Sequence, residues 1–133
     1  MKNILLIGGS YGIGLAIAKE IESGNNVFVA SRTNENLEDL NVTHIPFDAL
    51  NDTLDLSTLP AVIDGLVYCP GSINLRPFRG LKPEAFENDL QINFISLVKV
   101  IQSVLPNLTA SEQSSIVLFS SVAASMGMPF HTK

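Results

Sequence analysis

The residues of this 133-residue chain that carry the most chemical content lie near its start, in Gly8-Gly9-Ser10-Tyr11-Gly12-Ile13-Gly14. The run follows a short apolar stretch, Ile4 to Ile7, and opens an amphipathic one. In that context each glycine has a physical task. Gly8 permits a tight turn off a strand, Gly12 lets the backbone approach a pyrophosphate, and Gly14 lets a helix pack close to a sheet. A phosphate would then meet free N–H groups at the helix N-terminus. The expected contacts are Gly8, Ser10, Tyr11, Gly12, Ile13 and Gly14. The alternative is a glycine-rich turn with no ligand. No Gly-Lys-Ser/Thr follows, so this is not a P-loop.

The second apolar run ends in Ala30-Ser31-Arg32-Thr33. An acidic residue there would hold the ribose 2′-hydroxyl of NAD and repel a 2′-phosphate. None is present, and Arg32 offers a planar fork that suits phosphate. NADP(H) is therefore favoured, with NAD(H) possible; the competing reading of Arg32 is a solvated surface charge. Asp48 follows the third apolar run and can serve a ligand or cap the stretch after it. Cys69 has no evident base nearby and reads as a buried structural cysteine. Asn93 falls between Leu90 and Leu97 on the apolar face of a long helix, where its amide must find partners. No metal-ligand set is assigned.

These residues need a scaffold, and the pattern supplies one. Apolar runs at Ile4 to Ile7, Val27 to Ala30, Thr43 to Phe47, Val62 to Tyr68 and Ile116 to Phe119 read as five strands. Between them, residues 12 to 23 show helical spacing through Ile13, Ala16, Ile17 and Ile21, with Gly24 as the stop. Thr33 to Leu40 reads as a short helix and Leu54 to Leu59 as a weak helical piece. A loop rich in breakers runs from Cys69 to Lys82. Pro83 then starts a long helix, with Glu84 and Glu87 at the positive end of its dipole. Phe86, Leu90, Phe94, Leu97, Ile101, Val104 and Leu105 mark its apolar face, and Pro106 is expected to end it. Alternating strands and helices imply an α/β fold, a Rossmann-type doubly wound parallel sheet of about five strands in order 3-2-1-4-5, with three α/β/α layers. Residues 1–133 are read as one such domain. Ligand chemistry belongs at the C-terminal ends of the strands, where strand order reverses.

The glycine spacing, followed in order by Arg32, Asp48, Gly71, Asn93 and Ser121, resembles the short-chain dehydrogenase/reductase family over the whole chain. The sequence departs from the family in Ile7, where threonine is frequent, and in Tyr68-Cys69-Pro70-Gly71, where the family usually has Asn-Asn-Ala-Gly. The resemblance implies that Asp48 contacts the adenine and that Gly71 turns the chain near the nicotinamide ribose. It implies that Asn93, seven residues after Phe86, helps hold a water in a proton relay. Ser121, the second serine of its pair, would bind the substrate oxygen and position a tyrosine. The family's Tyr-x-x-x-Lys would come just beyond Lys133; Tyr11, Tyr68, His131 and Lys133 are not assigned its roles. The resemblance thus implies an NADP(H)-dependent oxidoreductase acting on a small-molecule alcohol or carbonyl substrate, here incomplete and without turnover alone. A non-catalytic NADP(H)-binding module or pseudoenzyme is the alternative. An interaction protein with an empty glycine loop is a third reading, since fold does not imply function.

Composition narrows the field further. Apolar residues make up 46% and charged residues 16%, as in globular domains. A net charge of −5 and a pI near 4.8 argue against nucleic acid, whose phosphates call for a basic surface. A single cysteine excludes an intrachain disulfide and suits a reducing, cytoplasmic setting. No uninterrupted run nears the roughly 20 apolar residues of a membrane helix, and no signal peptide is expected. Without the family's later helix and strands, Ile116 to Phe119 would be an apolar sheet edge, so a homo-oligomer is expected.

Overall fold

The computed structural model describes residues 1–71 and 78–119. Five parallel strands form one sheet: β1 (Lys2–Ile7), β2 (Asn25–Ser31), β3 (Val42–Pro46), β4 (Gly65–Tyr68) and β5 (Ser115–Leu118), in the order β3-β2-β1-β4-β5. Helix α1 (Gly12–Ile21) connects β1 to β2, and α2 (Pro83–Leu90) and α3 (Ser96–Thr109) precede β5. Strand side chains alternate between faces, and β1 shows the result. Leu5 and Ile7 pack with Val100, Val104 and Leu108 of α3, whereas Leu6 packs with Ala18 of α1 and Val29 of β2. Two cores therefore flank the sheet, which is the three-layer architecture read from the apolar runs.

Register decides where the chemistry can sit. Ile7 pairs with Ala30 and with Tyr68, Ser31 pairs with Pro46, and Tyr68 pairs with Leu118. The strands thus end level, and Gly8, Arg32, Phe47, Cys69 and Phe119 emerge side by side along one edge. Strand order reverses between β1 and β4, so the crevice opens between the turns that follow them. At the opposite edge, Asp64 ties the sheet's start. Its carboxylate accepts from the Asn3 N–H at 2.8 Å and from the Ser111 hydroxyl at 2.7 Å. These bonds hold its carboxyl below its ordinary value, and the strand expected from Val62 begins only at Gly65.

Four further expectations are corrected. Thr33 to Leu40 holds only a 3₁₀ turn, Glu35–Leu37. Leu54 to Leu59 is not helical: Asp55 accepts from the Ser57 N–H at 2.9 Å, a side-chain turn that competes with a helix. Pro106 does not end the long helix, because α3 runs on to Thr109. Its last turn is held from outside. The Asn107 side chain donates to the Pro60 carbonyl at 2.8 Å, the Ile63 N–H donates to the Asn107 carbonyl at 3.0 Å, and Leu108 is buried. The apolar face holds only in part. Val104 is buried and Leu97 and Ile101 pack against the core, whereas Leu90, Phe94 and Leu105 are exposed and Ser96, Val100 and Leu108 are buried beside Val104. A π turn, Gln91–Ile95, separates α2 from α3, and the residue it inserts rotates everything after it relative to an unbroken α-helix. By length and composition Pro83–Thr109, with a window of mean hydropathy 1.2, could cross a membrane; averaging over a window tolerates polar residues that an uninterrupted run does not.

Candidate functional site

The glycine loop leaves β1 as its spacing requires. Gly8 has φ +81°, a left-handed conformation open mainly to glycine, and its N–H donates to the Ala30 carbonyl at 2.7 Å. Gly12 also has positive φ, +59°, and a Cβ there would meet nothing within 4 Å, so the loop faces open space. A Cβ at Gly14 would collide with the Gly8 carbonyl oxygen and lie 2.9 Å from the Gly9 Cα. That contact brings α1 down onto the turn. Tyr11, the N-cap residue, makes no side-chain cap, so its side chain takes none of the first N–H groups of α1. Tyr11 and Ile13 each keep 64% of their surface exposed on either side of Gly12.

A cleft of about 510 Å³ opens here, within the size range of small-molecule sites. Gly8, Ser10, Tyr11, Gly12, Ile13 and Gly14 form one wall. Arg32, at the end of β2, and Asp48, after β3, lie on its far side, with Phe47, Ala49 and Leu50 as an apolar patch between loops. Cys69, Pro70 and Gly71 close the end beyond β4, together with Ile92 and Phe119. The structure therefore gathers every proposed cofactor residue around one cavity at the switch point.

Individual side chains refine this picture. Arg32 is exposed, and among the described residues nothing pairs with its guanidinium. The loop carrying it is braced from behind: the Ser31 hydroxyl donates to the Thr33 carbonyl at 2.7 Å, and His44 Nε2 lies 3.1 Å from the Ser31 carbonyl. A carbonyl only accepts, so His44 carries its proton on Nε2. Asp48 uses both carboxylate oxygens locally, accepting from the Leu50 N–H at 2.9 Å and the Asn51 side chain at 3.2 Å. It caps a turn while forming part of the wall. Asn36 is a residue the sequence did not flag. Its side chain donates to the Ser10 carbonyl at 3.0 Å and fixes the glycine loop to the 3₁₀ turn. No spacing signal marks it, because the contact joins two loops.

At the other end, Cys69 is half-buried and lines the cleft, which corrects its reading as a fully buried residue. Burial pushes its thiol up to about 11, so it stays protonated near neutrality. Asn93 is exposed, which corrects its expected place on the buried helix face; the π turn carries it outward. Its Oδ1 lies 3.5 Å from where a Gly71 Cβ would stand, so the structure brings Asn93 beside Gly71 at the end of the cleft. Tyr68 is buried, and its hydroxyl donates to the Ile92 carbonyl at 2.6 Å. Ser121 lies outside the described residues.

Comparison with known proteins adds three findings. The family model described as short chain dehydrogenase matches residues 2–133. Among curated proteins, the PIGF/3-ketodihydrosphingosine reductase fusion protein of Schizosaccharomyces pombe is 29% identical over 94% of this chain and 29% of its own length. Human retinol dehydrogenase 8 is 28% identical over 98% of this chain and 47% of its own length. The chain thus spans less than half the length of these relatives. Among solved structures, the closed form of a serine dehydrogenase complexed with NADP+ superposes with a TM-score of 0.84 at 26% identity, covering 96% of this chain and 57% of that one.

Proposed function

Because this chain belongs to the short-chain dehydrogenase family, we propose that its cleft holds a nicotinamide dinucleotide, NADP(H) in preference to NAD(H), and serves oxidation or reduction at an alcohol or carbonyl carbon. One observation carries the cofactor choice: the guanidinium of Arg32 stands in the cleft wall with no described partner. The cavity suits the rest of the group. Gly12 leaves open space where a pyrophosphate would lie, and the α1 N-terminus has no side-chain cap. The backbone from Gly8 to Gly14 would hold the pyrophosphate, Arg32 a 2′-phosphate, the Phe47 to Leu50 wall the adenine, and Gly71 the nicotinamide side. When bound, the dinucleotide supplies a hydride donor or acceptor. Asn93, beside Gly71, would hold a water for proton transfer, and Ser121 would hold the substrate oxygen. The substrate class rests on the relatives' names: retinol, 3-ketodihydrosphingosine and serine share an alcohol or ketone carbon.

A second reading, a dinucleotide-binding module without turnover, is favoured by Tyr68-Cys69-Pro70, which puts a phenol, a thiol and a ring where the family pattern has two amides and a methyl. Titration calorimetry with NADPH and NADH tests the cofactor choice. NADPH should bind more tightly. Arg32→Ala should weaken NADPH by about tenfold to a hundredfold, the worth of a charge-assisted contact, and leave NADH unchanged. Equal affinity of the two dinucleotides for the unaltered chain would refute the preference, and failure of both to bind would refute the nucleotide site. Dinucleotide-dependent oxidation of simple alcohols by the same polypeptide would refute the module reading.

A further inference from the structure

The π turn Gln91–Ile95 lies beside the cleft, and its bonding explains more than an interrupted apolar face. In an α-helix the Ser96 N–H would donate to the Ile92 carbonyl. Here it donates to the Gln91 carbonyl instead. The Ile92 carbonyl accepts from the Tyr68 hydroxyl at 2.6 Å, a bond that reaches over from the last residue of β4. The buried Ser96 side chain hydrogen-bonds the same phenol. Tyr68 is only 4% exposed, so the phenol, the carbonyl and the serine form a polar node inside the core. Removing one member of such a node leaves the others unsatisfied. Asn93 follows Ile92 directly, and Gly71 follows Tyr68 by three residues. One phenol therefore ties together the two segments whose meeting sets the Asn93 Oδ1 3.5 Å from the Gly71 Cβ position.

We infer that Tyr68 is a positioning residue, whose hydroxyl holds the Ile92 carbonyl released by the π turn and thereby sets the Asn93 amide against Gly71 at the end of the cleft. Its consequence for ligands rests on the dinucleotide reading above; the placement of Asn93 rests on geometry alone. Tyr68→Phe removes the O–H and keeps the ring. A role confined to core packing would lower stability at most and leave Asn93 in place.

The test combines NMR of the labelled 133-residue polypeptide with two titrations. In Tyr68→Phe the Ile92 carbonyl and Asn93 side-chain amide resonances should move. NADPH should bind about threefold to tenfold more weakly, as expected for one lost hydrogen bond. Adenosine 2′,5′-bisphosphate, which reaches only the adenosine half, should bind as before. A folded Tyr68→Phe with unchanged Ile92 and Asn93 resonances overturns the inference, and so does equal weakening of both ligands. If the unaltered chain binds neither ligand, the dinucleotide reading fails, while the resonances still decide the role of Tyr68. Should Tyr68→Phe not fold, the hydroxyl proton of the unaltered protein decides: slow exchange with solvent and proximity to Ile92 support the bond, and exchange at the rate of a free tyrosine overturns it.

Discussion

Gly14→Ala probes the join between the glycine loop and α1. The added carbon would overlap the Gly8 carbonyl oxygen and approach the Gly9 Cα to 2.9 Å. Both are backbone atoms of a turn pinned by the Gly8-to-Ala30 hydrogen bond, so neither can swing aside as a side chain would. Either α1 lifts or the turn opens. Overpacking of this kind costs about 1–3 kcal/mol, and the better helix propensity of alanine offsets up to about 1 kcal/mol. A net loss of about 1–2 kcal/mol lowers the melting temperature by roughly 3–10 °C in a chain of this size. Binding should suffer more, because a lifted helix misaligns the N–H groups expected to meet the pyrophosphate; NADPH should weaken by about tenfold or more. Gly24→Ala is the control. Gly24 has φ +88° and open space around a Cβ, so alanine there costs about 1–2 kcal/mol through backbone conformation and touches no part of the cleft. Scanning fluorimetry and calorimetry on both variants separate the effects. The reasoning is refuted if Gly14→Ala keeps its melting temperature, or if it loses no more NADPH affinity than Gly24→Ala.

Three other outcomes are expected. Hydrogen bonds from Asn3 and Ser111 depress the Asp64 carboxyl below 3.8. Its contribution is therefore complete above that value and is lost as pH falls through the lower folded-state value; thermal melts in acid should show a shallower decline in Asp64→Asn, and identical acid limbs would refute the link. Cys69, raised by burial from 9.0 to about 11, should react with a disulfide reagent at neutral pH about tenfold more slowly than an ordinary thiol, since about one hundredfold less thiolate is partly offset by the greater nucleophilicity of a more basic one; equal rates in native and urea-unfolded protein would refute this. Finally, β5 is the sheet edge among the described strands and exposes Ile116, Val117 and Leu118, so the polypeptide should self-associate at tens of micromolar, an order of magnitude typical of such edges. Val117→Lys should reduce the scattering mass, and a monomeric unaltered chain would refute the expectation.

Much of this architecture is legible because its causes are local. A parallel strand buried on both faces reads as an unbroken apolar run, and Ile4 to Ile7 does so. The glycine loop is legible for the same reason: Gly8, Gly12 and Gly14 answer to a turn, an approach and a contact within seven residues of one another. Where partners lie far apart in sequence, nothing local announces them. Asn36 reaches Ser10 across 26 residues, and Asn107 reaches Pro60 across 47. The first fixes the loop expected to bind, and the second carries α3 past a proline that should have stopped it.

The π turn is the sharpest case, because there the pattern misleads. Phe86, Leu90 and Phe94 continue into Leu97 and Ile101 as one stripe only if every residue advances about 100°. One inserted residue breaks that count. Phe94, inside the turn, faces outward, and beyond it Ser96, Val100, Val104 and Leu108 take the core with Leu97 and Ile101 packed against it. The composition of Gln91–Ile95 carries no sign of this, since the interruption is stabilised from another element, by the Tyr68 hydroxyl. A helix left to its own periodicity would turn Asn93 toward the sheet. The bond from β4 turns it toward Gly71 instead. Local rules are expected to fail where a fold positions a functional group, and here that failure coincides with the amide that the family pattern assigns to proton transfer.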